Sequence, residues 1–383
     1  MATPVILHIC LSEGWGGLEM YPIRVGSRLS QAGYQIFGLC LQKTQVHHKM
    51  KQSGIPVFSA KSKSTLLSRD FFSLVRWIKA RKITVIHCHK SGDLVFGRLI
   101  RLFCPVRVVF TEHMGSRREK KDVYHRWVYR GVDLVLSVSD STYRRNIHAL
   151  PVPEEKVSRL WLGTDIPDVL SGMQENIAEI KRDMGIPDSL TILGTVGRIC
   201  EGKGHIELVR AFRLIEQQYP RTLLVIVGGV HAYEGCDQRY LQRLKQVITE
   251  LRLEDKVIFT GFMSDVQQAL SVIDVVCLPY ANEAFGLTAI EAMAAQKPIV
   301  GANTGAFPEI FAETALLCNP RDEQDIANQV MTLMTEKNLA DCLAGHARRR
   351  AVHEFSMEKH IQGLIDFYSD LVSRSVVLAA GLE

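Results

Sequence analysis

Residues 191–227 read TILGTV-GRICEGKG-HIELVRAFRLIEQQ-YPR-TLLVIV. A short run of β-branched and aliphatic residues is followed by a glycine-rich turn, a segment with apolar residues at helical spacing, and a second apolar run. This pattern predicts strands at Thr191–Val196 and Leu223–Val227, with a helix over 205–218 between them. A strand, a helix and a second strand in this order form a βαβ unit, whose two strands lie parallel in one sheet.

The same alternation extends in both directions from this unit. It is interrupted near residues 162–167, where a glycine and a proline bracket a change in net charge, and after Pro320 the chain is predicted to be nearly all helical to Val372. We therefore predict an α/β fold with two Rossmann-like, doubly wound domains, residues 1–165 and 166–355. The further predicted strands are Val5–Cys10, Gln35–Cys40, Ile55–Phe58, Val85–Cys88, Val106–Thr111, Leu134–Val138, Lys256–Thr260, Asp274–Leu278 and Pro298–Val300, and the further helices lie around 19–32, 70–81, 93–103, 121–130, 140–149, 238–252, 265–271 and 287–295.

The composition is that of an ordinary globular protein. Of 383 residues, 46% are hydrophobic and 23% are charged, which excludes disorder, collagen and a small disulfide-held scaffold. The nine cysteines lie singly without a C-x-x-C pair, so neither a disulfide framework nor a zinc ribbon is predicted and a reducing cytoplasm is the expected location. No apolar run reaches the ~18 residues that a membrane span requires.

The charge is distributed unevenly along the chain. Residues through Asp165 include 26 Lys+Arg and 12 Asp+Glu, whereas the remainder includes 20 and 29. A basic half indicates an anionic partner, and an anionic membrane leaflet attracts each nearby Lys or Arg by about 1 kcal/mol. Nucleic acid and simple solvation are the alternatives, but no nucleic-acid recognition motif is present. The basic residues cluster at 76–82, 98–107 and 117–130.

Two glycine-rich turns follow predicted strands. Gly14-Trp-Gly-Gly-Leu-Glu19 would let backbone N–H groups approach an anion, but Glu19 stands where a dinucleotide fingerprint requires glycine. Gly197-Arg-Ile-Cys-Glu-Gly-Lys-Gly204 departs from the P-loop because Gly204 lacks the hydroxyl that ligates Mg²⁺. The cations Arg198 and Lys203 then suit a diphosphate held without a metal, and an ordinary exposed loop is the alternative.

A third segment opens a predicted helix and reads NEAFGLTAIEAMA over residues 282–294. Glu283 precedes the helix and Glu291 lies inside it. Free N–H groups at a helix start bind anions, and the helix dipole assists, while carboxylates accept hydrogen bonds from vicinal sugar hydroxyls. A capped packing helix is the plain alternative.

Histidines occur at the ends of two predicted strands. His113 follows Thr111-Glu112 and could bind a ligand or take part in acid/base chemistry, although backbone hydrogen bonds could equally satisfy it. We expect His87 and His89 to point to opposite faces of their strand, so the pair predicts no metal site.

Together these segments resemble the retaining nucleotide-sugar glycosyltransferases of the GT-B fold, family 4 (glycosyltransferases group 1), of the type that builds bacterial envelope polysaccharide or lipopolysaccharide. The resemblance rests on Glu283…Glu291, Gly197-Arg198…Lys203 and the glycine loop 14–17, and it extends to Asn303–Glu309 and Phe355–Glu358. It implies an acceptor-binding N-terminal domain and a donor-binding C-terminal domain facing each other across a cleft, with residues 356–383 crossing back to the first domain.

The resemblance also implies roles for individual residues. Glu291 would accept from the donor ribose, Glu283 would contact the donor sugar, and the segment after Gly261 would lie beside the base. Val227–His231 departs from the family's usual turn, and Thr111–Gly115 matches only approximately. The implied catalytic residues are His113, Arg198, Lys203 and Glu283, and the implied donor-binding residues are Gly16, Gly17, Met263, Phe285, Gly286, Leu287, Thr288 and Glu291.

The expected reaction is transfer of a hexosyl group, with UDP-sugars favoured, to a hydroxyl of a glycan or lipid-linked acceptor. Configuration would be retained by front-side displacement, without a metal or other cofactor. The protein would be cytoplasmic, with peripheral contact between its basic half and the inner face of the plasma membrane. A non-catalytic nucleotide-sugar or polyanion binder and a GT-B nucleotide-sugar epimerase are the alternatives.

Overall fold

Two parallel β-sheets organise the protein. The computed structural model describes residues 3–116, 118–167, 177–187, 189–263 and 265–380. Contacts divide the chain into two units, one of residues 1–161 with 358–383 and one of residues 162–357. Each unit holds one sheet covered by helices, so the predicted α/β class with two doubly wound sheets is confirmed.

The first unit contains a seven-stranded sheet in the order β3-β2-β1-β4-β5-β6-β7, with every neighbouring pair parallel. The order reverses between β1 and β4, which is where open sheets of this kind bind ligands. The strands are β1 Val5–Cys10, β2 Gln35–Leu41, β3 Val57–Ala60, β4 Val85–Cys88, β5 Arg107–Glu112, β6 Leu134–Ser137 and β7 Val157–Arg159, and the helices are α1 Gly17–Gln31, α2 Gln45–Gln52, α3 Lys63–Leu67, α4 Phe71–Ala80, α5 Leu94–Arg101, α6 Val123–Tyr129 and α7 Asp140–Ala149.

The second unit contains a six-stranded parallel sheet in the order β10-β9-β8-β11-β12-β13. Here the order reverses between β8 and β11. The strands are β8 Thr191–Val196, β9 Thr222–Val227, β10 Val257–Gly261, β11 Val275–Leu278, β12 Ile299–Ala302 and β13 Leu316–Cys318, and the helices are α8 Ile177–Asp183, α9 His205–Gln218, α10 Gln238–Glu250, α11 Val266–Val272, α12 Leu287–Ala294, α13 Phe307–Phe311, α14 Glu323–Thr335 and α15 Lys337–Phe355, followed by the C-terminal helix α16 Met357–Ala380.

Central strands of both sheets are buried along their whole length. Every residue of β9 and of β4 is buried, as expected when helices cover both faces of a parallel sheet. Close packing explains Gly194 in β8, because a Cβ atom there would lie 2.3 Å from Ile273 Cδ1. The β-branched strands and amphipathic helices thus bury one apolar core in each unit.

The elements that the sequence pattern missed are short. Strands β7 and β13 have three residues each and lie at sheet edges, where too few apolar residues repeat to give a periodic signal. The residues of helix α2 are too polar to give an apolar repeat. The helix is nevertheless capped at its start, because the Thr44 hydroxyl accepts from the His47 N–H at 3.2 Å.

The C-terminal helix belongs to the first unit from residue 358 onward. Its His360 ring hydrogen-bonds the Trp161 carbonyl at 2.7 Å, and Gly363 lies so close to Leu160 that a Cβ atom would come within 2.7 Å of Leu160 Cδ1. Among the residues that the structure describes, no helix has both the length and the apolar character needed to cross a membrane.

Candidate active site

The predicted donor-site residues lie at the reversal point of the second sheet. β8 and β11 are neighbours there, and the chain leaves them in the glycine turn 197–204 and in the segment 279–286. Because parallel strands end at the same edge of the sheet, these two segments meet. The Ala281 N–H donates to the Gly202 carbonyl at 3.1 Å, which ties them together.

An ion pair joins two of the predicted catalytic residues. Lys203 Nζ lies 2.6 Å from Glu283 Oε2 and 4.1 Å from the centre of the Tyr280 ring. Both charged side chains are largely shielded, at 21% and 18% exposure, so the pair is less screened than a surface pair. The structure therefore brings a cation and a carboxylate 80 positions apart in the sequence into one polar centre.

Backbone geometry in the turn depends on glycine. Gly204 has a φ of +67° immediately before α9, and a Cβ atom there would lie 2.1 Å from the Pro279 carbonyl oxygen. No side chain fits that contact. Gly204 is thus required by the approach of the two segments, which explains why the hydroxyl residue of a P-loop is absent.

Glu283 is fixed through its own backbone. Its carbonyl accepts from the Ala306 N–H at 3.0 Å, and a Cβ atom on Gly305, whose φ is +66°, would lie 2.8 Å from the Glu283 nitrogen. The segment Asn303–Glu309 is part of the family resemblance, but the resemblance implies no role for it. Its structural task is to hold Glu283 beside Lys203.

Helix α12 begins beside this ion pair. Gly286, with a φ of +95°, directly precedes Leu287 and Thr288, whose N–H groups stand at the positive end of the helix dipole. Glu291 is half-buried one turn further along. The side chain of Phe285 is buried against Phe355, with ring centres 6.1 Å apart, so only its backbone is available to a ligand.

For the remaining predicted site residues, the structure shows no hydrogen bond or ion pair with the Lys203–Glu283 pair among the described residues. Arg198 follows β8 and is exposed, while Met263 follows β10 and is half-buried. Gly16 precedes α1 and Gly17 is its first residue, both in the first unit with His113.

The first sheet has its own polar centre at its reversal point. Lys90, just after β4, donates to the Ser12 hydroxyl at 2.9 Å and lies 3.5 Å from Glu19 Oε1, while Ser12 donates to the same Glu19 oxygen at 2.7 Å. The Leu11 N–H donates to buried Asp93 at 3.1 Å, and burial raises the pKa of Asp93 to about 6. Sequence reasoning missed Lys90 and Asp93, although their position directly after a strand was the signal.

His113 sits in a cluster of five buried histidines, which also includes His8, His87, His89 and His360. Burial lowers the pKa of His113 and of His8 to about 3 and that of His360 to about 4, and it holds the pKa values of His87 and His89 well below their usual range. The cluster is neutral at physiological pH.

A directed chain of hydrogen bonds runs through this cluster. The Trp161 carbonyl can only accept, so His360 donates from Nδ1 at 2.7 Å and its Nε2 accepts from the Tyr21 hydroxyl at 2.8 Å. Tyr21 in turn accepts from Thr111. Thr111 then accepts from His87 Nε2 at 2.7 Å, and His87 Nδ1 accepts from the Tyr368 hydroxyl at 2.6 Å. The chain thus fixes the tautomers of His360 and His87.

The expectation that His87 and His89 point to opposite faces is wrong. Side chains two positions apart in a strand share a face, and their ring centres lie 4.3 Å apart. The ring nitrogens of His8, His87 and His89 come within 4.8 Å of one another. This spacing is close enough for three neutral imidazoles to share a metal ion. Both His87 nitrogens, however, are engaged by hydroxyl groups, and His8 Nδ1 shares a hydrogen bond with His89 Nε2 at 2.9 Å.

His113 lies at the edge of this cluster. Its ring centre is 4.8 Å from that of Tyr21, in an edge-to-face arrangement, and its Nε2 has no hydrogen-bond partner among the residues that the structure describes. A buried nitrogen of this kind is costly unless a ligand satisfies it. The imidazole is therefore neutral and able to exchange one hydrogen bond with a bound molecule.

Comparison with known proteins places the chain in a family. The family model "Glycosyltransferase Family 4" matches residues 15–166, and "Glycosyl transferases group 1" matches residues 176–350. The chain is 26% identical over 377 residues to N-acetyl-alpha-D-glucosaminyl L-malate synthase of Bacillus anthracis, covering 93% of this chain and 94% of that protein. It is 24% identical over 308 residues to the lipopolysaccharide core biosynthesis mannosyltransferase LpcC of Rhizobium leguminosarum bv. viciae, covering 79% and 83%.

Among solved structures, Anabaena HepE in complex with UDP and glucose superposes with a TM-score of 0.79 at 22% identity, covering 95% of this chain and 99% of that one. The two sheets and their connections therefore have the GT-B fold, and the two family models show that the protein is a glycosyltransferase. Within that class, the chain belongs to family 4, the group 1 glycosyltransferases.

Proposed function

We propose that the protein transfers a hexosyl group from a nucleotide diphosphate sugar to a hydroxyl of a glycan or lipid-linked acceptor. The observation that carries this proposal is the shielded Lys203–Glu283 pair, 2.6 Å apart beside the start of α12. It combines a cation for phosphate oxygens, a carboxylate for sugar hydroxyls and free backbone N–H groups in one place.

The bond between the anomeric carbon and the β-phosphate oxygen breaks, and negative charge grows on the departing diphosphate. Lys203, Arg198 and the N–H groups of Leu287 and Thr288 would stabilise that charge, which is the largest single contribution in many enzymes. The acceptor oxygen forms the new bond from the same side, and its proton passes to the departing phosphate oxygen. Configuration is thus retained, and no metal is required for the charge.

Donor recognition is assigned to the residues around this pair. Glu291 would accept from the ribose hydroxyls, Glu283 would accept from the sugar, and Met263 would lie beside the base. The backbone of Phe285 and Gly286 would complete the phosphate cradle in the second unit, and the glycine loop with Gly16 and Gly17 in the first unit is proposed to bind the donor as well. His113, neutral and with an unsatisfied Nε2, would donate to or accept from the transferred sugar.

UDP is the nucleotide we favour, and envelope polysaccharide or lipopolysaccharide is the product class. HepE binds UDP, and two relatives act in lipopolysaccharide core synthesis. We also propose that the basic first unit contacts an anionic membrane surface, where a lipid-linked acceptor would be presented, and that the enzyme works on the cytoplasmic side.

The first test is thermal stabilisation by a panel of nucleoside diphosphates and nucleotide sugars, without metal and then with Mg²⁺. A ligand at 100 times its dissociation constant adds about 2.7 kcal/mol. We expect one nucleoside diphosphate series to stabilise the protein without metal. Stabilisation by ATP only with Mg²⁺, or by no nucleotide, would contradict the proposal.

The second test is Lys203→Ala, with Lys245→Ala on the exposed surface of α10 as the matched control. Loss of one preorganised donor to the departing charge costs about 10²–10³ in rate. Sugar transfer, donor hydrolysis and donor epimerisation are measured together, because conversion of the nucleotide sugar to its epimer without an acceptor would indicate an epimerase instead. Unchanged turnover and donor affinity in Lys203→Ala would overturn the assignment.

A further inference from the structure

Helices α4 and α6 of the first unit and the residues that directly follow α5 expose large apolar side chains. Phe72 is 64% exposed, Leu102 56% and Tyr124 55%, and Phe103 and Trp127 are also exposed. Exposed apolar groups that adjoin one another mark an interaction surface, whereas isolated ones do not. We name this set of side chains, together with the arginines between them, the aromatic–basic face.

Phe72 and Phe103 adjoin one another, and half-buried Arg98 lies beside Trp127. The Phe72 and Phe103 ring centres lie 5.9 Å apart, and Phe103 directly follows Leu102. Arg98 lies one helical turn before Leu102, so the two share a side of α5. The Arg98 guanidinium is 5.9 Å from the Trp127 ring centre, and Trp127 completes the connection to α6.

The charges around these side chains are mainly positive, although Glu119 and Asp122 also expose carboxylates just before α6. From Lys63 to Asp133 the sequence contains 16 Lys or Arg and six Asp or Glu. Asp133 faces inward, where it binds both Arg101 and Arg107 and accepts from the Val108 N–H at 2.9 Å. The exposed cations on or beside the face are Arg69, Arg76, Lys79, Arg126 and Arg130, and Arg117 of the same basic segment lies outside the described residues.

This combination of aromatic and basic side chains fits a lipid surface better than it fits the same face of a second copy of the chain. Aromatic side chains with a polar end settle at the boundary between headgroups and acyl chains, and arginines keep their charge at phosphate level while their stems cover apolar surface. Anionic headgroups supply the complementary charge. A second copy of the same face would instead bring cations against cations.

We propose that the aromatic–basic face docks on the surface of an anionic lipid bilayer, with Phe72, Phe103 and Trp127 entering the headgroup region. This inference rests on the membrane contact proposed above and assigns that contact to one side of the first unit. Transfer to a soluble acceptor does not depend on it, since none of these residues belongs to the donor site.

The experiment is flotation of the full chain with vesicles of phosphatidylcholine alone and with added phosphatidylglycerol, at low and high salt. Two double variants probe the face, Phe72→Ser with Phe103→Ser and Arg76→Gln with Arg126→Gln. Their matched controls lie in the second unit, Tyr233→Ser for an exposed aromatic residue and Arg239→Gln with Lys245→Gln for exposed cations. Tryptophan fluorescence and donor-induced thermal stabilisation verify that every variant is folded.

We expect the wild type to float with the anionic vesicles and to be released by salt. Each basic residue contributes about fivefold to partitioning, so the arginine variant should bind about 25-fold more weakly, and the phenylalanine variant should lose binding even at low salt. Both controls should float as the wild type does.

One result would overturn the assignment. Folded face variants that float as well as the wild type would place the contact elsewhere. If the wild type ignores anionic vesicles, the membrane contact itself fails, while donor stabilisation and transfer to a soluble acceptor still report the enzyme activity independently.

Discussion

Acid should destabilise the first unit at a pH above that at which ordinary carboxylates are protonated, because of the buried histidine cluster. In the native state His8 and His113 have a pKa of about 3 and His360 of about 4, whereas the unfolded chain has the usual value near 6.5. Below pH 6.5 the unfolded state therefore binds protons that the native state does not. Stability is fully present above pH 6.5 and is lost progressively as the pH falls toward the native pKa values.

At pH 5.5 the linkage is about 1.4 kcal/mol for each such histidine, or about 4 kcal/mol for these three. His87 and His89, whose pKa values are also lowered, act in the same direction. Asp93 opposes them, because its native pKa is raised to about 6, and it returns about 0.8 kcal/mol at this pH. The free energy of unfolding should fall by at least about 3 kcal/mol between pH 7.5 and 5.5.

The assay is urea unfolding followed by tryptophan fluorescence. Trp15, Trp77, Trp127 and Trp161 are the four tryptophans of the chain, and all belong to the first unit, so the signal reports that unit. The variant His360→Gln should lower proton uptake on unfolding by about one at pH 5.5, and exposed His148→Gln is the control. A transition unchanged between the two pH values would refute the reasoning, and so would an equal proton uptake in both variants.

Three further changes test the packing of the two units. Gly204→Ala should destabilise the second unit more than Gly202→Ala in calorimetry, because both glycines have a positive φ but only a Cβ atom on Gly204 would meet the Pro279 carbonyl oxygen, at 2.1 Å. Gly202→Ala alone should cost about 1–2 kcal/mol. Equal effects of the two changes would count against the steric explanation. Asp133→Asn should destabilise the first unit by about 3 kcal/mol, since it leaves two partly buried arginines without their shared carboxylate. A loss below ~0.5 kcal/mol, measured by tryptophan fluorescence, would show that the two ion pairs of Asp133 contribute little to stability. Tyr368→Phe should cost about 1–3 kcal/mol by leaving His87 Nδ1 without its donor, and hydrogen exchange should then rise in the C-terminal helix rather than in β8 or β9.

The local periodicity of the sequence was sufficient for the larger elements. The helix over 205–218 and the strands at 5–10 and 191–196 have the bounds that the pattern predicts, because long runs of apolar residues at a regular spacing are specified locally. Glu283, Lys203 and Arg198 were identified through their position after strands. Edge strands β7 and β13 were not found, because three residues at a sheet edge are held by their neighbour rather than by their own pattern.

Contacts between distant residues required the tertiary structure. The Lys203–Glu283 pair spans 80 positions and the His87–Tyr368 bond spans 281, and no local pattern contains such a pairing. The neutral histidine cluster depends on burial by strands and by the C-terminal helix, since each of its rings would titrate normally in water. The sequence by itself determined two doubly wound sheets, their family and the glycine turns, because these follow from local spacing. Only the tertiary structure decided which charges are paired, which histidines stay neutral and which aromatic side chains remain exposed, because those properties belong to the surroundings of a residue rather than to the residue.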